Sequence, residues 1–146
     1  MKRFQPLADA IAPTLMAKSA ILDGEIIVMG DEGPDFYALM LQRDEPAYAA
    51  FDLLWLNGKD LRAQPLWRRK RALKILVEHT PIGYIDHVES PGLFAVAVDQ
   101  DLEGIVAKRS GDPYEPDTEW VKVKHVGYSQ NEGRWELFER GRRSDR

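Results

Sequence analysis

The sequence predicts an α+β domain with antiparallel or mixed sheets flanked by helices. Three observations point there. Apolar runs with strand character alternate with segments of helical period, a strong hairpin signal at Asn57–Gly58 joins one run to a short return, and 146 residues, 44% of them hydrophobic, suffice for one core. The hairpin chemistry favours this class over a doubly wound parallel sheet.

The elements follow in order. Phe4, Leu7, Ile11 and Leu15 recur at three- and four-residue steps, which predicts a short amphipathic helix whose end is blurred by Pro13. Residues 20–29 (AILDGEIIVM) read as a strand closed by the turn-forming Gly30, Asp31, Glu32, Gly33 and Pro34, with a short helix over residues 35–42 behind it. Residues 48–55 (YAAFDLLW) form a second strand, and the turn at Asn57–Gly58 follows. A helix is predicted over 66–78, starting after Pro65, then a strand over 84–88, a small-residue helix over 93–100 and a strand over 104–109. A loop carrying Gly111, Pro113 and Pro116 leads to a last strand over 120–124.

Composition removes several function classes. The chain has no cysteine, which excludes a disulfide framework, a cysteine-ligated metal centre and a cysteine nucleophile, and fits a reducing, cytoplasmic setting. Neither a membrane-length apolar run nor a signal-peptide core is present. The net charge of −4 is no general footprint of nucleic-acid binding, but the basic residues are clustered. One cluster is Arg68, Arg69, Lys70, Arg71 and Lys74, and the other is the tail with Arg134, Arg140, Arg142, Arg143 and Arg146. Such runs also read as a solvated helix face and a frayed tail.

Three predicted strands carry charge where a core strand prefers apolar residues. Asp23 and Glu25 share one strand face, although Asp23–Gly24 also reads as a turn. The run Glu103 to Arg109 places a carboxylate at the strand's mouth and Lys108 further along, with Gly104 permitting close backbone approach. This set suits a metal–phosphate group or, equally, surface ion pairs. In Trp120 to Lys124, Lys122 and Lys124 project to one side, where either a phosphate between them or an edge strand guarded by lysines explains them. Tyr48 and Phe51, with Asp52 beside them, offer either an aromatic face for a base or plain core packing. None of the three histidines has metal-ligand spacing with another, and phosphate-loop, nucleophile-elbow and zinc-protease motifs are missing.

Taken in order, LDGEIIV, AFDLLWLNGKDL, PLWRRKRAL, EGIVAKR and WVKVKH resemble the adenylation domain of ATP-dependent DNA ligases, in particular the bacterial end-joining type and its small relatives. The resemblance spans residues 2–125 and implies a partial ATP-grasp-like nucleotidyltransferase domain over 1–126, followed by a basic tail over 127–146 without an OB-fold. In that family a lysine attacks the α-phosphate of ATP, AMP passes to a DNA 5′-phosphate, and a 3′-hydroxyl then displaces it to seal the nick. The resemblance implies ATP (AMP) and Mg²⁺ as cofactors and nicked or broken DNA as partner. Glu25 would contact the ribose or help organise metal, Phe51 would pack on adenine, and Glu103 would position the metal. Lys122 and Lys124 would hold phosphates, with Lys108 as a further candidate, and Arg68, Arg69, Arg71 and Arg134 would contact DNA phosphates without reading sequence. Phosphoryl transfer depends mainly on positioning and charge neutralisation, which suits this set of cations and carboxylates.

Two parts of the family pattern are missing from these 146 residues: the nucleophile motif K-x-D-G and the S-R-x-G that follows it. The expectation is therefore a chain truncated at its N-terminus that does not charge itself with AMP. The alternatives are a non-catalytic DNA-end or nucleotide-binding module, one half of a split ligase whose upstream half supplies the lysine, or an inert remnant with exposed sheet edges.

Overall fold

The computed structural model describes residues 2–31, 33–41 and 43–131. Its elements in chain order are α1 (Gln5–Ile11), β1 (Ala20–Ile27), β2 (Met29–Gly30), β3 (Gly33–Pro34), α2 (Phe36–Leu41), β4 (Ala47–Leu56), β5 (Lys59–Asp60), α3 (Leu66–Val77), β6 (Gly83–Tyr84), α4 (Leu93–Asp99), β7 (Gly104–Ala107) and β8 (Val121–Lys124). The chain divides into two compact units. The first comprises Met1–Ile27, Pro46–His87 and Lys108–Val121, and the second Val28–Glu45, Val88–Ala107 and Lys122–Arg146. The expected α+β class holds, with a mixed main sheet. The boundary drawn from sequence at 126–127 falls inside the second unit's last segment, most of which lies outside the described residues.

The first unit is organised by β4. Along one edge it pairs antiparallel with β1; its other edge is shared by β5, antiparallel, and β6, parallel. Asn57, at φ 49°, and Gly58 form the β4–β5 turn, and the Asn57 side-chain oxygen accepts the Lys18 amide at 2.7 Å, which fastens the entry to β1. The strand expected over 84–88 is cut to Gly83–Tyr84. Ile85 still donates to the Ala50 carbonyl, but beyond it the Asp86 carboxylate takes the exposed His87 amide and the chain leaves the sheet. The first predicted helix is likewise shorter: Pro13 converts its end into a 3₁₀ turn over Ala12–Thr14.

Helix α3 lies on β4 and builds the core. Leu73 and Val77, one turn apart, meet Ala50, Leu53 and Ile82, with Ile11, Leu15, Leu22 and Leu56 packed around them. Leu53 and Leu73 are completely buried, and each such burial stabilises by about 1.5–3 kcal/mol. Pro65 gives α3 no side-chain cap. Instead the carbonyls of Asp112 and Ser110 accept the amides of Leu66 and Trp67, both at 3.0 Å, so a distant loop satisfies donors that helix starts leave open.

The second unit holds the β2–β3 hairpin, α2, α4 and the β7–β8 pair. Asp35 caps α2 by accepting the Ala38 amide at 2.8 Å, and among the described residues Val28, Ala38 and Ala97 are the buried apolar residues of this unit. Gly104, at φ +145°, passes so close to β8 that a side chain there would meet the Val123 carbonyl at 2.1 Å. The close backbone approach expected at Gly104 is therefore present.

Candidate nucleotide site

The first unit gathers a group of charged and aromatic side chains at the place where β1 and β4 fall out of simple register. Asp23 faces Asp52 while Gly24 faces Ala50, so Phe51 is the extra residue of a bulge; a second slip, opposite Ile21 and Leu22, leaves Leu54 over. Between these two bulges Asp52 and Leu53 are both fully buried although they are neighbours. Asp23–Gly24 therefore sits inside a strand and is not a turn. Gly24 is required there by crowding, since a β-carbon would lie 2.5 Å from the Ala49 carbonyl and 2.6 Å from the Tyr48 ring. Tyr48 itself packs against the core and donates its hydroxyl to the Leu22 carbonyl.

The two facing aspartates are handled differently. Asp52 receives both Nε and Nη2 of Arg69, at 2.8 and 3.0 Å, in a pair whose side chains are 0% and 1% exposed, and it also accepts the Leu53 amide. Arg69 reaches further through Nη1 to the carbonyls of Gln64 and Asp112. Asp23 instead accepts the Tyr114 hydroxyl at 2.8 Å. The ring of Tyr114 stands edge-on to Trp120, centroids 5.3 Å apart, with the Arg69 guanidinium 5.8 Å from its own centre.

Lys108 completes the group. Its ammonium lies 3.7 Å from the centre of the Trp120 ring and 4.7 Å from that of Phe51. Partial burial lowers its pKa from the ordinary lysine value; Asp52 and Asp23 work against that lowering, and Arg69 adds to it. A half-buried ammonium between two rings and near two carboxylates marks a place built to hold charge beside flat aromatic surfaces.

The basic run splits into two faces. Arg69 and Lys70 are 2% and 6% exposed, aligned with Leu73 and Val77 on the inner stripe of α3, and Lys70 donates to the Ile85 carbonyl beneath the Tyr84 ring. Arg69, expected as a DNA-phosphate contact, is thus corrected to an internal partner of Asp52; its charge is spent inside. Arg68 and Arg71 lie on the outer face with Trp67 and Ile75, and Arg68 stacks 5.1 Å from the Trp67 ring. Arg134 lies outside the described residues.

Comparison with known proteins gives this arrangement its family. The family described as the ATP dependent DNA ligase domain matches residues 2–124. The chain belongs to it. Among relatives, the SPbeta prophage-derived DNA ligase-like protein LigB of Bacillus subtilis is 33% identical over 141 residues, covering 88% of this chain and 51% of that protein. The multifunctional non-homologous end joining protein LigD of Pseudomonas aeruginosa is 35% identical over 133 residues, 77% of this chain and 16% of LigD. In structure, the ligase domain of Mycobacterium tuberculosis LigD superposes with a TM-score of 0.69 at 29% identity, over 85% of this chain and 42% of that one. A mycobacterial DNA ligase D complexed with ATP and MES gives 0.68, also at 29% identity, over 84% of this chain and 42% of that one. The chain spans about half the length of LigB and a smaller share of LigD.

Within this ligase-family domain the sequence-predicted residues distribute as follows. Glu25, exposed on β1, belongs to the first unit, as do Phe51 with Lys108 over its ring and Arg68 and Arg71. Glu103, Lys122 and Lys124 belong to the second, the two lysines exposed on β8. Among the described residues no three His, Asp or Glu side chains gather as a ready metal site. Sequence reasoning missed the Asp52–Arg69 pair, Tyr114 and Trp120 as members of the site. The four-residue spacing of Arg69, Leu73 and Val77 was a usable signal for the first; no local pattern announces Tyr114, whose partner Asp23 is 91 positions away.

Proposed function

We propose that the chain supplies nucleotide- and DNA-handling surfaces of an ATP-dependent DNA ligase, joining strands through AMP transfer in DNA repair or recombination. The observation that carries this reading is the family match over residues 2–124, within which Phe51 presents a half-buried ring beside a cation and two carboxylates. Phe51 packs on adenine and Glu25 takes the ribose or helps organise metal. Lys122 and Lys124 hold phosphates, with Lys108 as a further contact. Arg68 and Arg71, outward on α3, take DNA phosphates, and their role is positional.

Mg²⁺ fits the donor set, because it is commonly held by one or two carboxylates plus substrate phosphates and needs no three-ligand protein cage. Glu103 and Glu25 are the carboxylates that the family resemblance assigns to metal, each taken within its own unit, and a bound Mg²⁺ would neutralise charge on the transferring phosphate. These 146 residues contain no K-x-D-G. Self-adenylation needs an amine positioned against the α-phosphate, and such proximity is worth roughly 7–11 kcal/mol at best, more than a casually placed surface lysine recovers. Sealing of DNA that already carries AMP uses no lysine nucleophile and is the reaction open to the chain alone.

The test is intact-mass measurement after incubation with ATP and Mg²⁺, paired with sealing of a pre-adenylated nick. The expected results are an unchanged mass and sealing above that of Glu103→Ala. A mass increase of one AMP that is discharged onto nicked DNA would refute the first part, and sealing no better than the variant would refute the second.

A further inference from the structure

Residues 108–120 leave β7 and return to β8 as a strap, and the first unit holds that strap at several points. Its carbonyls at Ser110 and Asp112 cap α3, Arg69 grips Asp112 from below, and the Tyr114 amide donates to the Arg62 carbonyl at 2.8 Å. These anchors lie on α3 and on the loop that joins β5 to it. The tie to β1 is the Tyr114 hydroxyl on Asp23, two residues from Glu25. At its two ends the strap carries Lys108 and Trp120, which together with Phe51 form the slot in which the ammonium lies over both rings. The Tyr114 ring, edge-on to Trp120, is the link between the tie and the slot.

Resting on the nucleotide reading above, we propose that Tyr114 is a positioning residue for the nucleotide site: its hydroxyl bond to Asp23 and its ring contact with Trp120 together fix Lys108 and Trp120 against Phe51. The physical case is one of leverage. Asp23 is opposite Asp52; Arg69 and the Leu53 amide serve Asp52, while the Tyr114 hydroxyl donates to Asp23. Without that bond the strap keeps its α3 anchors and loses its hold on β1. Trp120 is then free to tilt, and Lys108, held by the faces of two rings instead of a carboxylate in contact, follows the ring. Tyr114 touches no reacting atom in this scheme; it acts through Trp120 and Lys108.

The experiment uses the full 146-residue chain and removes one oxygen with Tyr114→Phe. Lysine-selective ¹³C NMR reads the Lys108 ε-methylene protons, which ring currents of Trp120 and Phe51 displace from the position of exposed lysines; Lys108→Arg assigns the signal. AMP titration supplies the second readout. The expected result is a Lys108 signal shifted toward the exposed-lysine position and an AMP affinity lowered roughly threefold to tenfold, within the lower part of the range of coupling between residues in one hydrogen-bonded network. Asp23→Ala removes the other end of the bond and should reproduce both effects, the double variant adding little, whereas Asp23→Asn, which keeps an acceptor oxygen, should retain the Lys108 signal. An unmoved Lys108 signal in both Tyr114→Phe and Asp23→Ala overturns the proposal, as does a moved signal with unchanged AMP affinity. If the unsubstituted chain binds no AMP, the nucleotide reading itself falls and takes this role with it, a failure seen before any variant is made.

Discussion

Replacing Arg69 with methionine is expected to cost about 3–5 kcal/mol of stability, the usual penalty for stripping one partner from a buried ion pair. The structure accounts for the size. Asp52 is fully buried and would keep only the Leu53 amide, at 2.8 Å, as neutral compensation for a carboxylate that Arg69 now meets with two bonds. The carbonyls of Gln64 and Asp112 would lose the same guanidinium. Against a typical total of about 5–15 kcal/mol, such a loss leaves a small margin. Urea unfolding followed by tryptophan fluorescence measures it, as a midpoint lowered by roughly 2 M with the slope kept. The companion variant Asp52→Asn with Arg69→Met removes the stranded charge and should recover part of the loss, because a buried pair replaced on both sides is far less costly than a pair broken on one. A single-variant loss under about 1 kcal/mol, the scale of exposed pairs, would refute the argument. So would a double variant no more stable than the single one.

Three other outcomes follow from described geometry. Gly24→Ala should destabilise by about 1–3 kcal/mol through overpacking against the Ala49 carbonyl and Tyr48; since one of the obstacles is backbone, adding Tyr48→Ala should not restore the melting temperature, and restoration would contradict the assignment. Gly104→Ala should abolish amide-exchange protection in β7 and β8 while leaving β4 protected, as its new methyl meets the Val123 carbonyl at 2.1 Å from a backbone at φ +145°. Tyr114 has its pKa pushed from 10.0 to about 12 by desolvation and then by its bond to Asp23. Its folded pKa lies above the unfolded one, so its contribution is whole below pH 10 and is lost as pH rises through about 12. Urea midpoints of the unsubstituted chain should fall over that window, and those of Tyr114→Phe should fall less; identical profiles would count against the bond.

Much of the scaffold was legible because its signals are local. The apolar run that became β4, the Asn57–Gly58 turn and the α3 stripe each depend on neighbours a few residues apart. The order of five charged and aromatic segments likewise carried the family. What was not legible depends on pairing. The bulges at Phe51 and Leu54 exist only relative to β1, and no property of YAAFDLLW marks which residue is left over. Arg69 was misplaced because the basic run was read as one block; three- and four-residue spacing from Leu73 assigns Arg69 and Lys70 to the inside and Arg68 and Arg71 to the outside. Residues 85–88 continue the strand expected over 84–88 in sequence, but Asp86 and His87 solvate the chain there instead of pairing it.

The way α3 is capped also bears on how the chain acquires its structure during synthesis. The first unit is discontinuous, assembled from three stretches of which the last is Lys108–Val121. When α3 has just been synthesised, Ser110 and Asp112, whose carbonyls close the first turn of that helix, have not yet been added. The helix therefore waits with a frayed start and an exposed inner face, Arg69 and Leu73 included, while some forty further residues are added at about 5–20 per second. The last stretch to emerge thus supplies the closure that makes the first unit cooperative, and a stalled or prematurely ended chain would present the inside of α3 to whatever binds nascent polypeptides.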